Sequence, residues 1–468
     1  MIKKNAPIYL FAFITITLCS CGENRTGEYQ ALIEEDEWIA ETMRDIYLWN
    51  YDIPTDDKLN FFAAPEDFFP TLLSTKDKFS TIEIISNTTK SNASTSDYGF
   101  EFLLYSPANA PKNRVARIIF VSPHSAAAEA GLKRGDWISG VHGETLNQDN
   151  YGYLISGGEE EFTTATLEIQ ADNTYTWTND KTIQIGASHS FEDNPFYIDT
   201  VYNIENAKIA YLMYNSFSTG PEDQPDDDEY NVQMRNIFTR FKGETIHDFI
   251  LDLRYNPGGY LSCSQVLASL LAPENKLGET YCSLAFNQQN MDKDFSLPLN
   301  KELTGGANLN LSKLYVIVTN ETASASEAVI NCLRPYMEVI LIGTTTTGKN
   351  VASEPSSSDK FPGFILHPMV AYVNNSKGEA DYADGITPDY ELDESSFMQP
   401  LNALGDTAEL MLKNTIALII GGETSMPDVN FPTETKAIHY FQKASTPVYN
   451  SIERKRVNGV LLAPRHNY

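Results

Sequence analysis

The sequence predicts a multidomain α/β protein: an N-terminal helical segment, a β-rich middle unit, and a larger core in which helices flank a mixed sheet. Three observations predict it. Near the N-terminus, Trp38-Ile39, Met43, Ile46-Tyr47 and Trp49 recur at helical spacing. From Lys208 onward, short apolar runs alternate with helical patterns, the order that builds a sheet covered by helices. At 468 residues, 42% hydrophobic and 11% aromatic, the chain is too long for one core and apolar enough to fill several.

The formal charge of −29 argues against a nucleic-acid partner, because phosphate binding needs a basic face. An acidic surface otherwise serves mainly solubility.

Residues 1–20 read as an export signal. Lys3-Lys4 is a short basic region, and Ile8 to Leu18 is an apolar run too short to span a bilayer. The run ends in Leu18-Cys19-Ser20-Cys21, which resembles the lipobox of bacterial lipoproteins. That resemblance implies cleavage before Cys21 and acylation of its thiol. The chain would then be lipid-anchored in the bacterial cell envelope, periplasmic or outer-membrane associated, with residues 21–33 as a polar tether. Beyond the signal pair, three cysteines remain, Cys263, Cys282 and Cys332. An odd count rules out a complete disulfide framework. Cys263 and Cys282 could pair in an oxidising envelope, which spacing alone leaves open. Cys332 reads as core.

Residues 34–85 form the helical domain. A second helix is expected at Pro65-Glu66-Asp67-Phe68-Phe69 with Leu72-Leu73, its acidic residues early. Residues 86–96, rich in Ser, Thr and Asn, form a linker.

In residues 96–172, Tyr98-Gly99-Phe100 precedes a strand pattern from Val115 to Phe120. Then come the small residues Ser125-Ala126-Ala127-Ala128, the turn Gly131-Leu132, Gly135-Asp136, an apolar strand at Trp137-Ile138 and a tight turn at Gly143. This unit resembles a PDZ domain of the bacterial protease type. The resemblance implies that backbone N–H groups of the loop Tyr98-Gly99-Phe100 receive a peptide's C-terminal carboxylate. The peptide then adds a strand to the sheet edge. His124 and His142 fall in turns and carry no role.

Residues 173–422 form the core. Residues 173–207 return the chain to it, and Ile209 to Tyr214 is a strand. Acidic residues around Pro225 read as a solvated loop, followed by a helix from Val232 to Phe241. A strand from His247 to Arg254 runs into Tyr255-Asn256-Pro257-Gly258-Gly259, then a helix from Ser262 to Leu271. A strand from Leu314 to Val318 leads through Asn320-Glu321-Thr322-Ala323 into a helix containing Ala328 to Leu333. Strands at Val339 to Ile342 and Phe364 to Val373 and a helix ending at Gly421-Gly422 complete it. The strand–turn–helix lifts Ser324 to a helix start. Unpaired N–H groups and the helix dipole favour negative charge there, as a developing oxyanion requires. Residues 423–468 are a polar tail in which Val460-Leu461-Leu462 packs as a short appendage.

Four motifs occur in order: Asp252-Leu253-Arg254-Tyr255-Asn256-Pro257-Gly258-Gly259, Thr322-Ala323-Ser324-Ala325-Ser326-Glu327, Gly343-Thr344-Thr345-Thr346-Thr347-Gly348-Lys349, and Gly385-Ile386-Thr387-Pro388-Asp389. Together they resemble the S41 family of carboxyl-terminal processing serine peptidases, across roughly residues 34–415. The resemblance implies a core of the ClpP/crotonase-like type, Ser324 as nucleophile, and Lys349, 25 residues on, as its base. The N–H groups of Ala325 and of Gly258 or Gly259 would form the oxyanion hole. Thr346 would lie at the substrate, with Glu327 in support. Where many members carry a glutamine that orients the lysine, this chain has Ser353, next to Glu354.

A lysine acts as a base at neutral pH only if its pKa is lowered. The residues Thr344 to Gly348 carry no acid that would hold it protonated. No histidine matches a catalytic position, which disfavours a Ser-His-Asp triad. The implied function is a serine endopeptidase using a Ser-Lys dyad on envelope proteins or peptides near their C-termini, without metal or organic cofactor. Two readings stay open beside it: a catalytically weak or inactive peptide-binding protein on the same scaffold, and an esterase using the same dyad. Oligomeric state is not legible.

Overall fold

A computed structural model describes residues 26–85, 98–107, 110–169, 175–221, 224–396, 400–421, 447–452 and 460–461. The signal, Cys21 to Arg25 of the tether, the linker 86–96 and most of the tail lie outside the described residues. The tether expected to run to residue 33 is shorter, because residues 26–33 already belong to the helix Thr26–Ile46.

The core is a six-stranded sheet. Its order is Tyr390–Glu391, Glu338–Gly343, Lys313–Val318, Asp248–Asp252, Ala207–Tyr214, Phe196–Ile204. All neighbours are parallel except the last pair. Parallel strands buried on both faces read as continuous apolar runs, and these do. Successive side chains alternate between two cores. Ala210, Leu212, Phe249, Leu251, Leu314, Val316 and Val318 face the helices Glu229–Gly243, Leu261–Leu271 and Ala325–Leu333. Ile209, Tyr211, Met213, Ile250, Tyr315 and Ile317 face the helix Leu410–Ile420 and a second sheet.

That second sheet runs Tyr449–Asn450, Phe100–Tyr105, Val115–Val121, Trp137–Val141, Glu160–Ile169, Tyr175–Ile185, with Glu144–Thr145 paired off the main path. The boundary expected at residue 172 therefore moves. Tyr175–Ile185 pairs antiparallel with Glu160–Ile169, so this sheet continues to Ile185. Residues of the tail also join two sheets. Tyr449–Asn450 borders Phe100–Tyr105, and Val460–Leu461 borders Val351–Ser353.

A third sheet, Phe295–Pro298, Thr280–Phe286, Met369–Asn374, Val351–Ser353 and Val460–Leu461, lies beside the core. The single strand expected from Phe364 to Val373 splits at Pro368, which has no N–H to donate to a ladder. Phe364–His367 instead pairs with Thr81–Ile84, so the N-terminal segment ends as a strand on the core. Its helix Thr26–Ile46 packs Ile39, Met43 and the following Tyr47 against Phe68, Phe69 and Leu72, and against Phe361, Phe364 and Leu366 of the core. Cys263, Cys282 and Cys332 are buried thiols outside any disulfide, so the possible Cys263–Cys282 bridge is absent. Among the described residues no helix is long and apolar enough to cross a membrane.

Candidate active site

The strand Lys313–Val318 ends in a turn, and Ser324 caps the helix Ala325–Leu333 with φ of 63° and ψ of −114°. A positive φ is uncommon outside glycine and marks a position held by its surroundings. Three restraints hold it. The Ser324 N–H donates to Glu327 Oε2 at 2.8 Å, the Ala328 N–H donates to the Ser324 carbonyl at 2.8 Å, and the preceding Ala323 N–H donates to the Asn256 carbonyl at 3.1 Å. Ser324 is fully buried, and its Oγ has no hydrogen-bond partner.

Glu327 ties Ser324 to Lys349. Its Oε2 also accepts the Lys349 N–H at 2.8 Å, while Oε1 accepts the Gly348 N–H at 2.6 Å and the Thr346 hydroxyl. One carboxylate oxygen thus bonds the backbone of both residues singled out as nucleophile and base. Burial pushes the Glu327 carboxyl up, against the lowering effect of these donors.

Lys349 is 4% exposed, and burial pulls its ammonium down to about 8. Asp77 and Glu327 oppose that shift. The acids acting on the lysine therefore come from distant segments, and Glu354, its neighbour in sequence, is not among them. The Lys349 ammonium lies 5.0 Å from the ring centroid of Phe79. Asp77 is itself fixed by the Tyr47 hydroxyl at 2.7 Å and by the Phe79 and Ser80 N–H groups at 2.8 and 2.9 Å.

The turn after the strand Asp248–Asp252 supplies the other wall. Asn256 knits it together: Nδ2 donates to the Tyr214 carbonyl, Oδ1 accepts the Gly258 N–H at 2.9 Å, and its carbonyl also accepts the Ser326 hydroxyl. The two glycines expected as oxyanion donors differ in this respect. The Gly258 N–H is taken, whereas those of Gly259 and Ala325 have no backbone acceptor among the described residues. Gly258 serves by its size, since a Cβ there would stand 2.7 Å from the Ser324 Cβ.

Other expected site residues behave differently. Ser353 is buried and its Oγ has no partner, so it does not bond Lys349. Thr346, expected at the substrate, is bonded within the protein. Its hydroxyl donates to Glu327 and accepts the Ile386 N–H at 2.7 Å. Tyr98 and Phe100 are core side chains of the second sheet, and Gly99 takes φ of 78° against Ser125. A cleft of about 560 Å³ flanks Lys349, lined by Gly348, Asn350, Trp49, Phe79 and Tyr372. Asp77, Phe79, Trp49 and Asn256 carry no role that the sequence alone signals. Asn256 lies inside a recognised motif, but nothing local to Asp77 or Phe79 signals their approach to Lys349.

The sequence profile of peptidase family S41 matches residues 208–392, and that of the peptidase S41 N-terminal domain matches residues 34–81. A solved structure from Bacteroides fragilis NCTC 9343, assigned to the S41 proteases, is 34% identical. It superposes with a TM-score of 0.74 over 82% of this chain and 97% of its own. A carboxyl-terminal-processing protease of Picosynechococcus is 24% identical over 52% of this chain, and a CtpA-like serine protease of Staphylococcus aureus is 22% identical over 70%. The chain spans 52% and 62% of the lengths of those two curated relatives. The fold, the ordered motifs and these likenesses agree: the chain belongs to peptidase family S41.

Proposed function

We propose that this protein is a serine peptidase in which Ser324 is the nucleophile and Lys349 its base. The observation that carries the reading is the shared Glu327 Oε2. It bonds the backbone N–H of a strained, unbonded serine and of a buried lysine whose ammonium is pulled down to about 8. A serine hydroxyl needs such a base, and a lysine near neutrality can serve as one. The absent contact between Ser324 Oγ and Lys349 suits a resting site, since catalytic hydrogen bonds often tighten only with substrate present.

In this reading neutral Lys349 takes the Ser324 proton as Oγ attacks a peptide carbonyl. The N–H groups of Ala325 and Gly259 receive the oxyanion. Lys349 then returns the proton to the leaving amine, and water hydrolyses the ester. Trp49, Phe79 and Tyr372 give the flanking cleft an apolar wall for substrate side chains. The edge of Phe100–Tyr105 docks the substrate's C-terminal peptide, and acylated Cys21 anchors the enzyme in the envelope.

The test is hydrolysis of casein by the purified chain beside Ser324→Ala and Lys349→Ala. Loss of cleavage in both variants with unchanged circular dichroism is expected, and equal cleavage by all three would sink the dyad. Cys21→Ser should move the protein from the membrane to the soluble fraction.

A further inference from the structure

The edge of Phe100–Tyr105 is already occupied by the chain's own tail. Tyr449 and Asn450 pair antiparallel with Leu104 and Leu103, and the Val448 N–H donates to the Leu104 carbonyl at 2.7 Å. The Phe102 N–H donates to Ser451 Oγ at 2.8 Å, and the Ser451 hydroxyl in turn reaches the Glu101 carboxylate. Running from 449 to 452, the segment heads toward Gly99, the direction in which the C-terminus of a strand-adding peptide would arrive. The Tyr449 ring sits 5.8 Å from Phe102 and 5.7 Å from Tyr151, in the position of a ligand side chain.

The segment also touches the machinery. The Asn450 amide donates to Glu321, three residues before Ser324. Ile452 is 2% exposed and lines a cavity of about 160 Å³ with Pro257 of the glycine turn. Further on, Val460 and Leu461 pair with Ala352 and Ser353, on the strand that follows Lys349.

We propose that residues 447–452 are a resident, intramolecular ligand of this strand edge, which a docking peptide must displace. This rests on the reading that the edge is a peptide-docking site. A strand edge recognises main chain, so any extended peptide competes for the same N–H and C=O groups. A tethered segment of ~100 µM intrinsic affinity, held at an effective concentration of order 1 mM, weakens any free competitor about 10-fold.

The probe is a fluorescent peptide of the sequence Pro447 to Ile452 with a free terminal carboxylate, followed by anisotropy. All proteins carry Ser324→Ala, so no result depends on hydrolysis. A chain ending at Thr446 should bind the probe at least about 10-fold more tightly than the full chain, with Ser451→Ala in between. Equal affinity, or no binding by a folded truncated chain, overturns the proposal. Truncation also removes buried Ile452, so the full chain supplies a second measurement. Excess probe should speed hydrogen exchange across residues 447–452, and unchanged exchange at saturating probe overturns the proposal. Failure here leaves Ser324 and Lys349 standing, and failure of that dyad leaves both measurements readable.

Discussion

The Lys349 ammonium sits 5.0 Å from the centre of the Phe79 ring, so the N-terminal segment forms part of the environment of the proposed base. An aromatic face attracts a cation, whereas burial disfavours one. With burial first, and Asp77 and Glu327 opposing it, the ammonium is set at about 8.

The pH dependence follows from that balance. Lys349 is active when neutral, so kcat/KM should rise with pH through about 8 and level off above it. Asp77 holds the proton on, so Asp77→Asn should move the limb to lower pH. Asparagine Oδ1 can keep the Phe79 and Ser80 N–H bonds. A pH profile of kcat/KM for both proteins checks this, and a limb that stays in place would remove Asp77 from the account.

Glu327→Gln tests the carboxylate that bonds both residues. Glutamine turns one acceptor oxygen into a donor facing N–H or hydroxyl groups that need acceptors. Each buried donor left unmade costs about 1–3 kcal/mol. The expected loss is about 2–5 kcal/mol in stability, with kcat lowered more than KM because Ser324 and Lys349 lose their common support. Urea unfolding together with steady-state kinetics would separate the two effects.

Much of this site was legible in the sequence, and the rest was hidden for a physical reason. Ser324, Lys349, Ala325 and the glycine pair lie in local motifs whose strand–turn–helix context can be read from apolar periodicity. Asp77 and Phe79 reach Lys349 only because Thr81–Ile84 joins Phe364–His367, a pairing across most of the chain that no local pattern encodes. The tail's sequence shows only a polar appendage because two-residue strands such as Tyr449–Asn450 have no periodicity. Gly258 and Gly259 are equivalent in the sequence and differ in the fold, where the Asn256 side chain takes the N–H of Gly258.

That distinction is testable. Gly259 has φ of 137°, and a Cβ there would lie 2.5 Å from the Phe217 carbonyl oxygen, a backbone atom that cannot yield. Gly259→Ala should therefore rotate the peptide that carries the proposed donor. Removing one such donor costs about 10²–10³ in kcat. Gly131→Ala is the control: its φ of 79° is also left-handed, but a Cβ there meets nothing within 4 Å. It should cost about 1–2 kcal/mol of stability and leave kcat unchanged. Equal kcat in the two variants would remove Gly259 from the oxyanion hole.

The glycine turn is anchored from below by a buried ion cluster joining two sheets. Arg254 bonds Asp252, Glu394 and Glu409, and Arg134, from the loop before Trp137–Val141, bonds Glu394 at 2.6 Å and the Tyr255 hydroxyl at 2.7 Å. Burial alone would raise the Glu394 carboxyl, but the two guanidiniums and the Tyr255 hydroxyl hold it down to about 2. The folded value lies below the ordinary 4.5, so the stabilisation is fully present above about pH 4.5 and is lost as pH falls toward 2. A shift of that size corresponds to roughly 3 kcal/mol. Arg134→Met should lessen this acid sensitivity and lower stability at pH 7 by about 3–5 kcal/mol, because Glu394 loses one of its two arginine partners. It should also lower kcat, since Tyr255 begins the turn that carries Gly259. Urea midpoints from pH 7 to pH 2 for both proteins check this, and parallel curves would show that Arg134 does not set the acid response.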